Sequence, residues 1–142
     1  ANVARYGWHC SSISRDPDSQ QPAFAYTVGF WHSWQQPEFV IAGLDSAVAH
    51  ALLADLAAAA AAGKMWPLDQ LCHDLIDSYP CAFIEVPKAR REELALSACW
   101  LYGREPFPLM QVVWPDVDGR FPWHERASTS FRAEQPVWGL IA

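Results

Sequence analysis

Three side chains at regular spacing are the first candidates for chemistry. Asp69, His73 and Asp77 recur at every fourth position, so a helix would align them on one face, where they could approach a cation. The apolar residues of the same stretch predict such a helix over 68–77, with the opposite face buried. We therefore expect the acidic face to be solvated, and the sequence predicts no metal site.

Nucleophile and base residues do not form a recognisable catalytic pattern. His9-Cys10 and Cys72-His73 are adjacent pairs, and neighbouring residues on a strand point to opposite faces of the sheet. The sequence contains neither G-x-S-x-G nor a P-loop. No catalytic residue is assigned, although a hydrolase assembled from distant residues stays open.

Tryptophan is the residue type in excess, with eight in 142 residues, and most of them fall in predicted connections. There an indole can bury its ring and donate its N–H to a carbonyl. The same rings, together with a few polar groups, could instead line a concave binding site. The candidate ligand-binding residues are Tyr26, Trp31, His32, Trp34, Glu38, Trp114, Asp116 and Trp123.

The stretch QVVWPDVDGRFPW, residues 111–123, predicts a tight corner. Pro115 has no amide hydrogen for a sheet ladder, so the strand that carries Trp114 must end there or lie at an edge. DVDG is similar to the start of a calcium loop but lacks the later ligands. A β-turn explains it, with aspartate accepting amide hydrogens and Gly119 at positive φ. We expect Trp123 to lean toward Trp114 across this turn.

The stretch YTVGFWHSW, residues 26–34, is predicted to end at the same rim of the sheet. The hypothesis is that Trp31, His32, Trp114 and Asp116 face a single cavity. Gly29 lies late in the predicted strand, which favours a bulge or a positive φ at that position.

The elements that position these residues predict an α+β fold. We expect a single domain over residues 1–142, with an antiparallel or mixed β-sheet covered on one side by two or three helices. Strands are predicted over 3–14, 23–30, 37–43, 81–86 and 109–114. Helices are predicted from the Asp45 cap to Gly63, over 68–77 and over 90–102. In the first helix, Val48, Leu52 and Leu56 are expected to face the core.

Composition disfavours several classes of partner. The net charge of −6 argues against binding to nucleic acid or an anionic membrane, because phosphates require a clustered basic surface. No apolar run approaches the roughly 20 residues that a membrane span needs. No secretion signal is visible, so we expect a cytoplasmic location.

Five segments carry a resemblance: YGW at 6–8, YTVGF, PEFVIAGL, QVVWPDVDGRFPW and QPVWGL. Their order resembles a bacterial family of unknown function along nearly the whole chain, and the Trp-Pro-Asp corner is the most specific part. The resemblance implies a small cytoplasmic bacterial domain, with no catalytic residue and no cofactor carried over. The opening also resembles flavin-binding split barrels, but EFVIAGLDSAVA offers only Ser46 to a flavin phosphate.

Three functions remain open at this point. The leading interpretation is a non-catalytic module that binds a small ligand or protein partner through an aromatic-rich site. The second is an immunity-type protein that neutralises a basic toxin, in line with the small size and the negative charge. The third is an enzyme, either flavin-dependent or hydrolytic.

The four cysteines, Cys10, Cys72, Cys81 and Cys99, are predicted to be reduced, because their spacings form neither a disulfide framework nor a metal pattern. Thiol titration under denaturing, non-reducing conditions should return four thiols per chain. Fewer than three would contradict both the prediction and the expected cytoplasmic location.

Overall fold

The computed structural model describes residues 5–14, 22–64, 71–76, 79–103 and 106–139. Within these ranges the sheet contains six strands: β1 (His9–Ile13), β2 (Phe24–Val28), β3 (Glu38–Ala42), β4 (Cys72–Ile76), β5 (Tyr79–Glu85) and β6 (Leu109–Val113). The helices are α1 (Phe30–Trp34), α2 (Ser46–Ala61), α3 (Lys88–Leu94), α4 (Leu96–Tyr102) and α5 (Thr129–Glu134).

The sheet is mixed, with the strand order β1-β2-β3-β6-β5-β4. β3 and β6 pair in parallel, and the other neighbours pair antiparallel. The three central strands, β2, β3 and β6, are buried at every residue. A strand that is apolar on both sides needs cover on both faces of the sheet.

That cover comes from helices on both faces. Phe39 and Ile41 pack in one core cluster with α2, whereas Val40 packs in a second cluster with Leu94 and Ala98 of α3 and α4. The α+β class is confirmed. The expected one-sided cover is wrong, because both faces of the central strands are buried, including their polar residues Thr27, Glu38 and Gln111.

The predicted capping of α2 is confirmed, but its predicted buried face is shifted. Asp45 accepts a hydrogen bond from the Ala47 amide at 3.1 Å, and the helix ends before Gly63. The buried face consists of Leu53 and Leu56 with the small residues Ala49, Ala57 and Ala60, so the predicted burial of Leu56 is confirmed. Val48 is 49% exposed, because the alanines allow the other side of the helix to lie closest to the strands.

The predicted helix over 68–77 is wrong, since residues 72–76 form β4. Cys72 lies opposite Cys81 in the antiparallel ladder with β5. In so short a stretch, the spacing of the apolar residues suits both a helix and a strand. Pairing with β5 decides in favour of the strand. His73 therefore lies exposed on a strand, and the expected partners Asp69 and Asp77 lie outside the described residues.

The other predicted elements are found with adjusted bounds. The strands predicted over 23–30, 37–43, 81–86 and 109–114 are confirmed as β2, β3, β5 and β6, and the strand over 3–14 is confirmed only as the shorter β1. Ala95 divides the predicted helix over 90–102 into α3 and α4. Gly29 takes φ 112°, as the positive-φ expectation required, and it precedes α1 rather than sitting inside β2.

All four cysteines are free thiols, and burial raises the pKa of Cys81 to about 12. In the part of the chain that the structure describes, no helix is both long and apolar enough to span a bilayer. The same part contains no cluster of three or more His, Cys, Asp or Glu side chains placed to hold a metal ion.

Gly43 and Gly63 provide a matched test of how α5 packs on the end of β3. Their φ values are +84° and +81°, so a side chain strains both backbones alike, by roughly 1–2 kcal/mol. A Cβ at Gly43 would lie 2.6 Å from the carbonyl oxygen of Glu134, whereas one at Gly63 would meet no described atom within 4 Å. In urea unfolding, Gly43→Ala should lose about 1–3 kcal/mol more stability than Gly63→Ala. Equal losses would contradict the packing of α5 on Gly43.

Candidate functional site

The structure divides the predicted site residues between opposite ends of the sheet. β2 and β3 are antiparallel, so Trp31, which follows β2, lies beside Glu38 at the start of β3. β6 is parallel to β3, so Trp114 follows it at the far end, beside Ala42. Five residues of strand separate the two ends by roughly 17 Å. The expected cavity shared by Trp31 and Trp114 is therefore wrong.

At the first end, the Glu38 carboxylate caps helix α1. The residue before the helix is Gly29, which has no side chain with which to cap it. Glu38 is fully buried and takes over this function. Its Oε2 accepts from the amides of Gly29 and Trp31, and its Oε1 accepts from the amide of Phe30, each at 3.1 Å. The free amides of the first turn are thus satisfied by a residue from the neighbouring strand.

Two hydroxyl groups complete the surroundings of Glu38. Thr27 Oγ1 donates to Oε1 at 2.7 Å and accepts from the amide of Phe39 at 2.9 Å. The Tyr102 hydroxyl donates to Oε2 and accepts from the amide of His32 at 3.0 Å. All five groups around the carboxylate are donors, so they match its ionised form.

The pKa shifts in this cluster follow from burial and hydrogen bonding. Burial raises the pKa of Glu38, and the hydrogen bonds from Tyr102 and Thr27 act in the opposite direction. Burial and the neighbouring Glu38 charge raise the pKa of Tyr102, so its phenol stays protonated and remains a donor. These groups hold β2, β3, α1 and α4 together through hydrogen bonds that converge on the Glu38 carboxylate.

The remaining aromatic candidates occupy separate places. Tyr26 is buried in the core, and Trp34 packs edge-on against Phe30 at 5.3 Å between ring centroids. Trp123 stacks on Phe121 at 4.9 Å, while the ring of Trp114 contacts Phe131 at 5.2 Å. The expected contact of Trp123 with Trp114 is replaced by these two separate pairs.

At the second end, the predicted turn after Pro115 is confirmed. Asp116 Oδ1 accepts from the amides of Asp118 and Arg120, both at 2.9 Å, and Gly119 takes φ +79°. The Asp116 amide also donates to the carbonyl of Arg120 at 2.8 Å. The corner is therefore rigid, because the aspartate satisfies the amides that the turn leaves open.

Beside this corner lies an apolar groove of about 440 Å³, here called the corner groove. One wall is formed by Leu44, which precedes α2, and by Val48 and Leu52 of α2, and the other wall is formed by the corner itself. The corner and the elements around it contribute Ile76, Tyr79, Trp114, Pro115, Asp116, Val117, Phe131 and Glu134. Of the residues predicted for a site, Trp114 and Asp116 are the two that line it.

The indole of Trp114 is fixed in the groove by hydrogen bonds. Its Nε1 donates to the carbonyl of Ala42 at 2.9 Å. The fully buried amide of Gln135 pairs with the Trp114 backbone, accepting from its N–H at 2.9 Å and donating to its carbonyl at 2.7 Å. The ring therefore forms a preorganised surface rather than a mobile side chain.

Several groove residues were missed from the sequence. Val48 and Leu52 were assigned to the core, although their spacing of four residues is also what a second apolar stripe of α2 would show. Phe131 and Gln135 carried no local signal, because their partner Trp114 is distant in the chain.

The groove is open to solvent and bears negative charge. Val117 is 85% exposed and Tyr79 is 36% exposed, and clustered exposed apolar residues mark interaction surfaces. Asp116 and Glu134 are the charged residues among its described lining. Neither forms an ion pair with any residue that the structure describes.

Fold and site together define an α+β domain with a preformed apolar groove at one end of a mixed sheet. The chain matches the family described as domain of unknown function DUF4262 over residues 2–128, and it belongs to that family. This confirms the expected family of unknown function. No curated protein and no solved structure is significantly similar to the chain. Phe131 and Glu134 lie beyond the matched residues and complete the groove, and the buried Gln135 beside them holds the Trp114 backbone.

The capping function of Glu38 predicts a large effect of an isosteric substitution. Glu38→Gln would turn an NH₂ group toward backbone amides that are themselves donors. We expect it to lower the free energy of unfolding by about 2–4 kcal/mol in urea titration. Glu93→Gln, at an exposed position on α3, serves as the control and should change stability little. A loss below about 0.5 kcal/mol for Glu38→Gln would show that the carboxylate does not hold α1.

Proposed function

We propose that this domain is a non-catalytic binding module whose corner groove accepts an apolar group of a ligand or partner protein. The observation that carries the proposal is the groove itself, with about 440 Å³ of space and an indole fixed in its wall. Its volume lies within the roughly 300–1,000 Å³ that small-ligand sites occupy. Its mainly apolar lining favours burial of hydrocarbon over recognition of a polar molecule.

The lining supports binding rather than catalysis. Among its described residues, the polar side-chain groups are the carboxylates of Asp116 and Glu134, the hydroxyl of Tyr79 and the indole N–H of Trp114, which already donates to the Ala42 carbonyl. Asp116 already accepts two backbone amides at Oδ1 as part of the turn. The arrangement contains no nucleophile next to a base in the described lining, which acyl transfer or hydrolysis by that route would require.

An immunity-type protein is a second candidate, with the same groove covering part of a basic toxin. The net charge of −6 supports it, since a negative surface attracts a positive partner and speeds their encounter. Both candidates place the contact at the corner groove, and they differ in the size of the bound molecule.

The neutral dye Nile red tests whether the groove binds apolar groups. The wild type should bind the dye saturably, with a change in tryptophan fluorescence that is much smaller in Trp114→Phe. Val48 is about half exposed and Val117 is largely exposed, so replacing both with Ser should alter stability little while weakening dye binding roughly tenfold.

Trp100→Ser is the matched control for the dye experiment, because Trp100 is 89% exposed and lies on α4, outside the groove. Its dye affinity should equal that of the wild type. The proposal is wrong if the valine variant binds as well as the wild type, or if Trp100→Ser is the variant that loses binding.

A further inference from the structure

We propose that the occupant of the corner groove is a basic amphipathic segment of a partner protein, in which Lys or Arg residues flank a row of apolar side chains. This inference rests on the proposed function above and names the partner chemistry of the same site.

The charges at the groove complement a basic partner. Asp116 and Glu134 line the groove, and no described residue neutralises either of them through an ion pair. Arg120, the basic residue of the corner, pairs with Asp118 at 3.8 Å instead. An apolar segment flanked by cations would fill the groove and meet both carboxylates, whereas an acidic segment would be repelled.

The openness of the groove favours a protein segment over a small free molecule. Small-ligand sites bury roughly 70–90% of the bound molecule. Here the apolar walls reach the surface, with Val117 85% and Val48 49% exposed. A small molecule in this groove would keep one side in water, whereas a protein segment would cover both exposed valines at once.

The spacing of the α2 wall matches a helical partner. Leu44, Val48 and Leu52 line the groove at intervals of four residues. Val48 and Leu52 lie within α2, where four residues correspond to a rise of about 6 Å. An amphipathic helix presents its own apolar side chains at the same interval and can lay them against such a wall.

Two synthetic peptides test the inference. The basic peptide Ac-LKKLLKLLKKLLKL-NH₂ and the acidic peptide Ac-LEELLELLEELLEL-NH₂ share one apolar pattern and carry opposite charge. Isothermal titration calorimetry at low salt should give a dissociation constant for the basic peptide at least tenfold below that of the acidic one. Added salt should weaken binding of the basic peptide.

Isosteric variants locate the charge effect. The double variant Asp116→Asn, Glu134→Gln should bind the basic peptide roughly threefold to tenfold more weakly, since each exposed ion pair contributes modestly to the affinity. Asn still offers an acceptor to the turn amides. The pair Glu92→Gln and Glu93→Gln removes the same charge from α3, on the other face of the sheet, and should leave the affinity unchanged.

Other outcomes separate failure of this inference from failure of the proposed function. If both peptides bind equally and the valine substitutions weaken both, the groove remains a binding site, but the inference of a basic partner is wrong. The inference is also wrong if both pairs of charge-neutralising substitutions weaken binding of the basic peptide equally. Such a result would mean that the net negative charge of the whole protein, and not the charge at the groove, attracts the peptide. Dye binding without peptide binding would assign the groove to a small ligand. Binding of neither dye nor peptides would overturn both proposals.

Discussion

The buried carboxylate of Glu38 joins four elements of the fold at one point. A carboxylate without water requires a donor at every lone pair, and here the donors come from β2, from the first turn of α1 and from α4. Their convergence fixes α1 against the start of β3 and ties α4, on one face of the sheet, to the same point. A polar group that is costly to bury therefore specifies how four elements meet.

The parallel pairing of β3 with β6 gives the two ends of the sheet different properties. One end is closed by the Glu38 cluster, in which polar atoms satisfy one another. The other end carries the rigid turn at Asp116 and the groove beside Trp114, where apolar side chains remain in contact with water. The Glu38 cluster and the corner groove are thus about one strand length apart, so a substitution in the groove leaves the cap of α1 untouched.

The chain after β6 is attached by side chains rather than by a strand. Gln111 donates to the carbonyl of Pro136 at 2.7 Å and accepts from the amide of Trp138 at 2.9 Å, while Gln135 pairs with the backbone of Trp114. These buried amides replace the ladder hydrogen bonds that a further strand would supply. They also bring Phe131 and Glu134 to the groove, so residues outside the family match complete a surface that the matched residues begin.

Features with local causes could be predicted from the amino-acid sequence. Asp45 caps α2 through an amide two residues away, Pro115 ends β6 because it has no N–H, and Gly119 permits the turn that Asp116 closes. The apolar run of β3, bounded by Pro37 and Gly43, also predicted an inner strand, and the sheet order confirms it. The apolar spacing of residues 72–76 suits both a helix and a strand, and pairing with β5 in the folded protein decides for the strand. Tertiary structure also decided which face of α2 meets the sheet, and it placed Trp31 and Trp114 at opposite ends. These outcomes depend on which strands pair and in which direction, and no residue near either tryptophan encodes that choice.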